Sequence, residues 1–352
     1  MKKTVVVGLS GGVDSSVSAL LLKQRGYRVI GLFMRNWEDD EDCPAVADYE
    51  DALCVASALD IPLYSVNFSH EYWQDVFSQC LKEYAAGYTP NPDILCNREI
   101  KFKVFFNKAM ELGGDYLSTG HYCRILQHQG QLCLARGTDE NKDQSYFLYT
   151  LKQSMLEKVL FPVGELTKSE VRKLALSANL VTARKKDSTG ICFIGKRDFK
   201  SFLSRYIHPH PGNFETLSGQ EVGKHDGMEF YTIGQRRGLG IGGPGDAWYV
   251  VGKDPQRNVV VVEQGDEHPA LFHKALIAYE TSWVGNIPRF PFTCTAKIRY
   301  RSSDVKCTLI NQDSDRLSIE FDTPQKAITP RQAIVFYDKD VCLGGATILH
   351  AC

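Results

Sequence analysis

Three short segments carry the residue types that could do chemistry. The first is Gly8-Leu9-Ser10-Gly11-Gly12-Val13-Asp14-Ser15, which follows the apolar residues 4–7 and runs into Val17-Ser18-Ala19-Leu20-Leu21-Leu22. A strand, a glycine turn and a helix are predicted. Adjacent glycines let the backbone approach an anion, and the free N–H groups opening the helix point at it, so the segment reads as a phosphate cradle. Asp14, beside Ser10 and Ser15, would repel phosphate unless a divalent cation lay between them. That points to a phosphate chain carrying Mg2+, with Asp14 as the metal's ligand and ATP as the candidate. No lysine follows the glycines as in a Walker loop, and the spacing misses the dinucleotide fingerprint. The plain alternative, a βα turn with a capping serine, is outweighed by the coincidence of strand, glycine pair, acid and helix.

The other two segments each hold a cysteine among charges. In residues 88–102, Pro90 and Pro92 stiffen a loop, and a helix starting near Asn97 or Lys101 would set Cys96 at a positive N-terminal dipole. Arg98 and Lys101 would then lower a thiol pKa from its free value of about 8.5. In Asp187-Ser188-Thr189-Gly190-Ile191-Cys192-Phe193-Ile194-Gly195, basic residues lie on both sides and two glycines imply a movable or tightly turned segment. A packed cysteine, and a buried strand over residues 191–194, are the structural alternatives. Taken together, the two thiols favour reactivity. Eight further cysteines, Cys43, Cys54, Cys80, Cys123, Cys133, Cys294, Cys307 and Cys342, sit among apolar or strand-forming neighbours and are expected to pack as small hydrophobes.

Elements that position these segments follow from the pattern. Apolar runs at 5–7, 29–34, 63–68 and 116–122 alternate with helical stretches, which predicts βαβ units, a parallel sheet and ligands at the carboxyl ends of its strands. Residues 101–112 read as a helix stopped by Gly113-Gly114, and 167–178 as one opened by a capping box, Thr167 with Glu170. Beyond His208-Pro209-His210-Pro211-Gly212 the texture turns to β-branched alternation, including 248–263 around a turn at 254–258. Runs at 293–300, 306–310, 316–321, 333–337 and 345–349 suggest a compact barrel. The expected class is therefore α/β, divided into a parallel-sheet nucleotide domain at 1–206, a small β-rich domain at 207–273 and a C-terminal β-barrel at 274–352.

At 352 residues and 43% hydrophobic content, the chain can bury more than one core. Its net charge of −1 gives no global polyanion signature, so an RNA site would have to come from local clustering. Eleven cysteines without a CxxC pair fit reduced thiols, and no apolar run approaches a membrane span. A cytoplasmic protein with no membrane partner is expected.

The glycine loop SGGVDSS resembles the pyrophosphatase loop of the ATP-pyrophosphatase superfamily. Adding NPDILCN, TGHY at 119–122, KDQSYFLY at 142–149, DSTGICFIG and YTIGQRRGLG at 231–240, the chain resembles, nearly end to end, the bacterial tRNA-specific 2-thiouridylases. The resemblance implies ATP-dependent thiolation of the wobble uridine at position 34 of tRNA: adenylation of the uracil O2, with pyrophosphate departing into the cradle, then sulfur transfer. It assigns a persulfide to Cys192, fed by a persulfide-carrying donor protein, and makes Cys96 the partner nucleophile, with a disulfide forming between them. Asp93 becomes a candidate for proton transfer or base orientation. Gly8–Ser15, Met34 and Gly120 would bind ATP. Asn91, Pro92 and Asp93 would contact the target base in the anticodon loop, and His121, Lys142, Asp143, Gln144, Arg299, Tyr300 and Gln332 would approach the tRNA.

Periodicity by itself reads Met34 as strand core and His121 as a satisfied strand-end histidine, and the basic series from Lys168 to Arg205 as a phosphate track or a solvated helix face. Thr329-Pro330-Arg331-Gln332 departs from the family's more usual TPGQ, which puts the turn's conformation in doubt because arginine adopts positive φ far less readily than glycine. Two rival functions share the cradle: an amide-forming ligase of the same superfamily, which needs no pair of thiols, and an RNA-binding module that only senses ATP. Iron–sulfur-dependent thiolation fits poorly, since clustered cysteine spacing is lacking.

Overall fold

The computed structural model describes residues 2–37, 45–128, 130–187 and 198–352, so Cys43 and Cys192 lie outside the described residues. The alternating first part builds a five-stranded sheet, all parallel, in the order Leu63–Asn67, Arg28–Arg35, Thr4–Gly8, Tyr116–Ser118, Val159–Leu160. Val6 packs with Ile30, Leu32 and Leu117 on one face, while Val5 and Val7 pack with Val17, Leu20 and Phe33 on the other. An unbroken β-branched run is what a strand covered on both faces requires. The strand at Tyr116–Ser118 is shorter than the run 116–122 suggested, because residues 119–122 leave the sheet to pass beside the glycine loop.

The helix expected at 101–112 is the end of a longer helical stretch. It begins as Pro92–Leu95, continues through wider turns over Cys96–Val104, where Phe102 leaves helical geometry (φ −103°, ψ 17°), and finishes as Phe105–Glu111 before Gly113 at φ +82°. The capping box is present: Thr167 Oγ1 accepts from Glu170 N at 3.3 Å, and Glu170 accepts from Thr167 N at 2.7 Å, opening the helix Lys168–Ser177.

A four-stranded sheet follows in the order Trp248–Asp254, Val259–Gln264, Gly212–Glu215, Glu221–His225. The last part is a closed six-stranded barrel in which Phe272–Trp283 pairs both with Arg316–Lys326 and with Val341–Ala351. One addition was not foreseen. The hairpin Cys123–His128 and Gln131–Arg136, from the first part of the chain, joins the edge of this barrel at Ala135 opposite Val341. Arg136 clamps it: the guanidinium lies 3.6 Å over the Tyr337 ring and pairs with Asp304 at 2.8 Å. The apolar core on one side of the parallel sheet therefore runs on through Cys96 and Tyr146 into Val335, Tyr337 and Cys342 of the barrel.

Cys80, Cys123, Cys294, Cys307 and Cys342 are buried as expected, whereas Cys54 is exposed and Cys133 partly so. Cys54 falls on the outer face of the helix Ala45–Ala58, whose inner face is Ala52, Val55 and Ala56. No helix among the described residues is long and apolar enough to cross a membrane.

The TPRQ turn keeps the left-handed conformation, with Arg331 at φ +70°. Its guanidinium lies between the rings of Tyr88 (4.8 Å) and Tyr279 (5.1 Å), bonds the Tyr279 hydroxyl and pairs with Glu83 at 2.8 Å. These contacts offset the strain of a β-carbon at positive φ, about 1 kcal/mol. Arg331→Ala, which keeps the strain and loses the contacts, is expected to lower unfolding free energy by about 1–2 kcal/mol in guanidinium titrations. Arg331→Gly, which loses both, should lie closer to wild type.

Candidate active site

Sterics explain the glycine loop. Gly11 has φ +72°, and a β-carbon there would stand 2.1 Å from the Asp48 carbonyl oxygen, so no larger residue fits. Leu9 and Val13 are buried in the core and can offer a ligand only their backbone. The Ser10 and Ser15 hydroxyls lie 3.1 Å apart, and Ser15 donates to the Gly12 carbonyl at 3.1 Å. Gly12, at the N-cap of the helix Val13–Gln24, has no side chain to satisfy the first-turn N–H groups, so these remain directed at whatever occupies the loop. The cradle suits an anion.

Residues 119–122 close its other side. A β-carbon on Gly120 would lie 2.8 Å from Ser15 N and 2.9 Å from the Asp14 carbonyl carbon, so glycine is required for this approach. Two residues on, the Tyr122 hydroxyl donates to Asp14 Oδ1 at 2.7 Å. Lys168 Nζ reaches both Asp14 oxygens, at 2.7 and 2.8 Å, and also Asp187 Oδ1 at 2.9 Å. Asp187 takes Lys142 at 2.6 Å and Arg172 at 2.7 Å as well. The cation that a Walker loop would carry locally thus arrives from the first residue of the helix Lys168–Ser177. The capping box next to it was legible, but the sequence placed Lys168 only within a basic series.

From the sequence, Asp14 is the expected contact of a Mg2+ carried by a phosphate chain. Both of its oxygens face an ammonium, and among the described residues no group of three or more metal-ligating side chains is found. The donor set, one carboxylate beside the Ser10 and Ser15 hydroxyls, fits a divalent ion that arrives on a phosphate chain.

Cys96 also differs from expectation. The helix starts at Pro92, where the Asn91 side chain caps it by accepting from Ile94 N at 3.3 Å. Cys96 therefore lies beyond the first turn, where the dipole's effect has largely decayed, and it is 0% exposed among Ile94, Ile100 and Phe102. Arg98, expected to activate it, pairs with Glu99 at 2.7 Å. Its neighbour Asn97 is buried too and donates to the Phe147 carbonyl at 3.3 Å. Asp93 and Pro92 are half-buried in the opening turn.

Of the residues assigned to RNA, several are engaged inside the protein. His121 is buried between Phe102 and Phe161 with Nδ1 2.7 Å from Thr119 Oγ1; burial, aided by the charge of Lys101, holds it well below the usual histidine range and so neutral. Asp143 is buried and accepts from Gly137 N, Ser145 N and Ser145 Oγ. Gln144 accepts from Tyr122 N at 3.0 Å. The Arg299 guanidinium bonds the carbonyls of Ile233 (2.7 Å) and Ala327 (2.9 Å), tying the middle sheet to the barrel, and Tyr300 packs 4.3 Å from the Phe147 ring. Gln332 donates to the Thr89 carbonyl at 2.6 Å, so the barrel grips the loop that presents Asn91–Asp93. Lys142 keeps 39% side-chain exposure, and Met34 is half-buried at the end of its strand.

Fold and site together define a nucleotide-binding α/β protein with two appended β domains. Residues 3–196 match the family described as tRNA methyl transferase HUP domain, 200–264 the tRNA methyl transferase PRC-barrel domain, and 273–348 the aminomethyltransferase beta-barrel domain. The chain is 57% identical over 351 residues to a tRNA-specific 2-thiouridylase MnmA of Protochlamydia amoebophila, covering 99% of this chain and 93% of that one. It is 57% identical over 353 residues to MnmA 1 of Geobacillus kaustophilus (99% and 95%) and 56% over 349 to MnmA of Exiguobacterium sibiricum (98% and 93%). The chain belongs to the tRNA-specific 2-thiouridylase family.

Asp187 carries a pH signature. Burial alone would raise its carboxyl, but hydrogen bonds from Lys142 and Lys168 outweigh this and hold it at about 2. Its folded value lies below the unfolded value of about 3.9, so its stabilising contribution is full above that value and is lost as pH falls toward 2. Urea titrations at pH 2–5 are expected to show a wild-type loss across that window that Asp187→Asn reduces.

Proposed function

We propose that this chain performs ATP-dependent 2-thiolation of the wobble uridine, position 34, of tRNA. The near full-length likeness to 2-thiouridylases carries this reading, and the phosphate cradle supports its first step. A uracil carbonyl oxygen is a poor leaving group. Attack of O2 on the α-phosphorus of ATP breaks the α–β bond, and pyrophosphate leaves along the Ser10 and Ser15 hydroxyls and the backbone N–H groups that open the helix after Gly12. Asp14 would be the protein contact of a Mg2+ carried by the phosphates, which would supply charge neutralisation there.

The terminal sulfur of a persulfide on Cys192 then attacks C2 and AMP departs with the oxygen. A Cys96 thiolate attacks the Cys192 sulfur, the S–S bond to the RNA sulfur breaks, and 2-thiouridine leaves as a disulfide forms between the two cysteines. Because Cys96 is sealed in the core, this last step requires its helix to uncover it, so the second thiol acts only after a rearrangement. An anticodon-loop uridine is already unpaired, which lowers the cost of drawing it toward Asn91–Asp93, where Asp93 is the candidate for orienting the base or moving its proton. A cellular dithiol must first reduce the Cys96–Cys192 disulfide, its own two sulfurs becoming the oxidised pair; a persulfide-carrying protein then reloads the Cys192 thiolate, and the cytoplasm, where tRNA and reducing conditions coexist, is the compartment.

Mass spectrometry of tRNA nucleosides after incubation with ATP, Mg2+ and a persulfide donor tests this. Wild type is expected to form 2-thiouridine, and Cys192→Ser and Cys96→Ser to lose more than 100-fold while tRNA-dependent pyrophosphate release persists. Undiminished turnover in Cys192→Ser would favour an amide-forming ligase.

A further inference from the structure

Asp187 is the last acid before the Cys192 segment, and no step above uses it. It is nevertheless the most heavily paired carboxylate of the site, holding Lys142, Lys168 and Arg172 at 2.6–2.9 Å. The three cations face different directions. Lys168, 12% exposed, is shared with Asp14 at the nucleotide cradle; Lys142, 39% exposed, is on the solvent side; Arg172 is anchored to the carbonyls of Ala183 and Lys185 at 3.1 and 3.0 Å. Two acids and three bases leave the cluster with one positive charge in excess, which suits polyanionic ligands on both sides.

We propose that Asp187 is a positioning residue through which the nucleotide's phosphate chain and the RNA backbone sense each other. The inference rests on the reading of the site as an ATP and tRNA site. A triphosphate entering the cradle draws Lys168 toward itself, and an RNA phosphate at the surface draws Lys142. Either withdrawal leaves Asp187 two cations; both leave a half-buried carboxylate with Arg172 alone, and the second loss costs more than the first, because fewer cations remain to offset its partial desolvation. The two ligands therefore bind antagonistically through this carboxylate, and by linkage each weakens the other by the same factor.

The test measures affinity of a tRNA transcript for the full-length protein by fluorescence anisotropy, with and without saturating α,β-methylene ATP, which cannot be cleaved at the α–β bond. Wild type is expected to bind tRNA several-fold more weakly with the analogue present. In Asp187→Asn each ligand alone should bind at least as tightly as to wild type, and the mutual effect should fall to unity. Should Asp187→Asn fail to fold by thermal melting, Lys142→Met, which removes the outer cation, should weaken tRNA binding and abolish the same linkage. Absence of antagonism in wild type, or antagonism unchanged in the folded variants, overturns the proposal. Thiouridine formation is scored separately: wild type that shows the linkage but makes no 2-thiouridine would sink the functional reading and leave the coupling standing.

Discussion

The close approach of residues 119–122 to the glycine loop is the contact on which the site depends. Gly120 can lie against the Asp14–Ser15 backbone only because it has no side chain. That approach delivers the Tyr122 hydroxyl to Asp14 and lets Gln144 hold the Tyr122 amide. The strand ends at Gly8 and Ser118, the helix Val13–Gln24 and the loop carrying Gln144 thereby meet at one backbone contact. A β-carbon at residue 120 would push the neighbouring strand end away and dismantle several bonds at once.

Electrostatics then take over from sterics. Asp14, alone in a phosphate cradle, would repel its ligand; in the structure its charge is balanced by Lys168, which bonds both of its oxygens. The same ammonium ties the cradle to Asp187, so charge at the loop is shared with residues more than 100 positions away along the chain. Glycine geometry gives close approach, and the ion pairs set the charge balance beside it.

The barrel is more than an appended module. Its core is continuous with the apolar layer beneath the parallel sheet, and it reaches the parallel-sheet half through Tyr146 on the Ala333 carbonyl, Gln332 on the Thr89 carbonyl and Arg331 on Glu83. The loop carrying Asn91–Asp93 is held from the barrel side, which couples its position to a domain that contributes no residue to the glycine cradle.

The sequence by itself determined four of the five parallel strands, the glycine turn before its helix, the capping box and the barrel, because each is written in neighbouring residues: β-branched runs, a glycine pair before a helix, Thr167 with Glu170. Only the tertiary structure decided that Lys168 supplies the missing cation, that Asp187 gathers three bases, and that His121, Asp143 and Arg299 spend their polar groups inside the protein. It also decided that Cys96 is buried: the helix begins at a capped Asn91-Pro92, which places Cys96 past the first turn and among Ile94, Ile100 and Phe102 in the core. Local pattern reports what a residue can do, while burial and pairing depend on which distant segments close over it, and that is a property of packing.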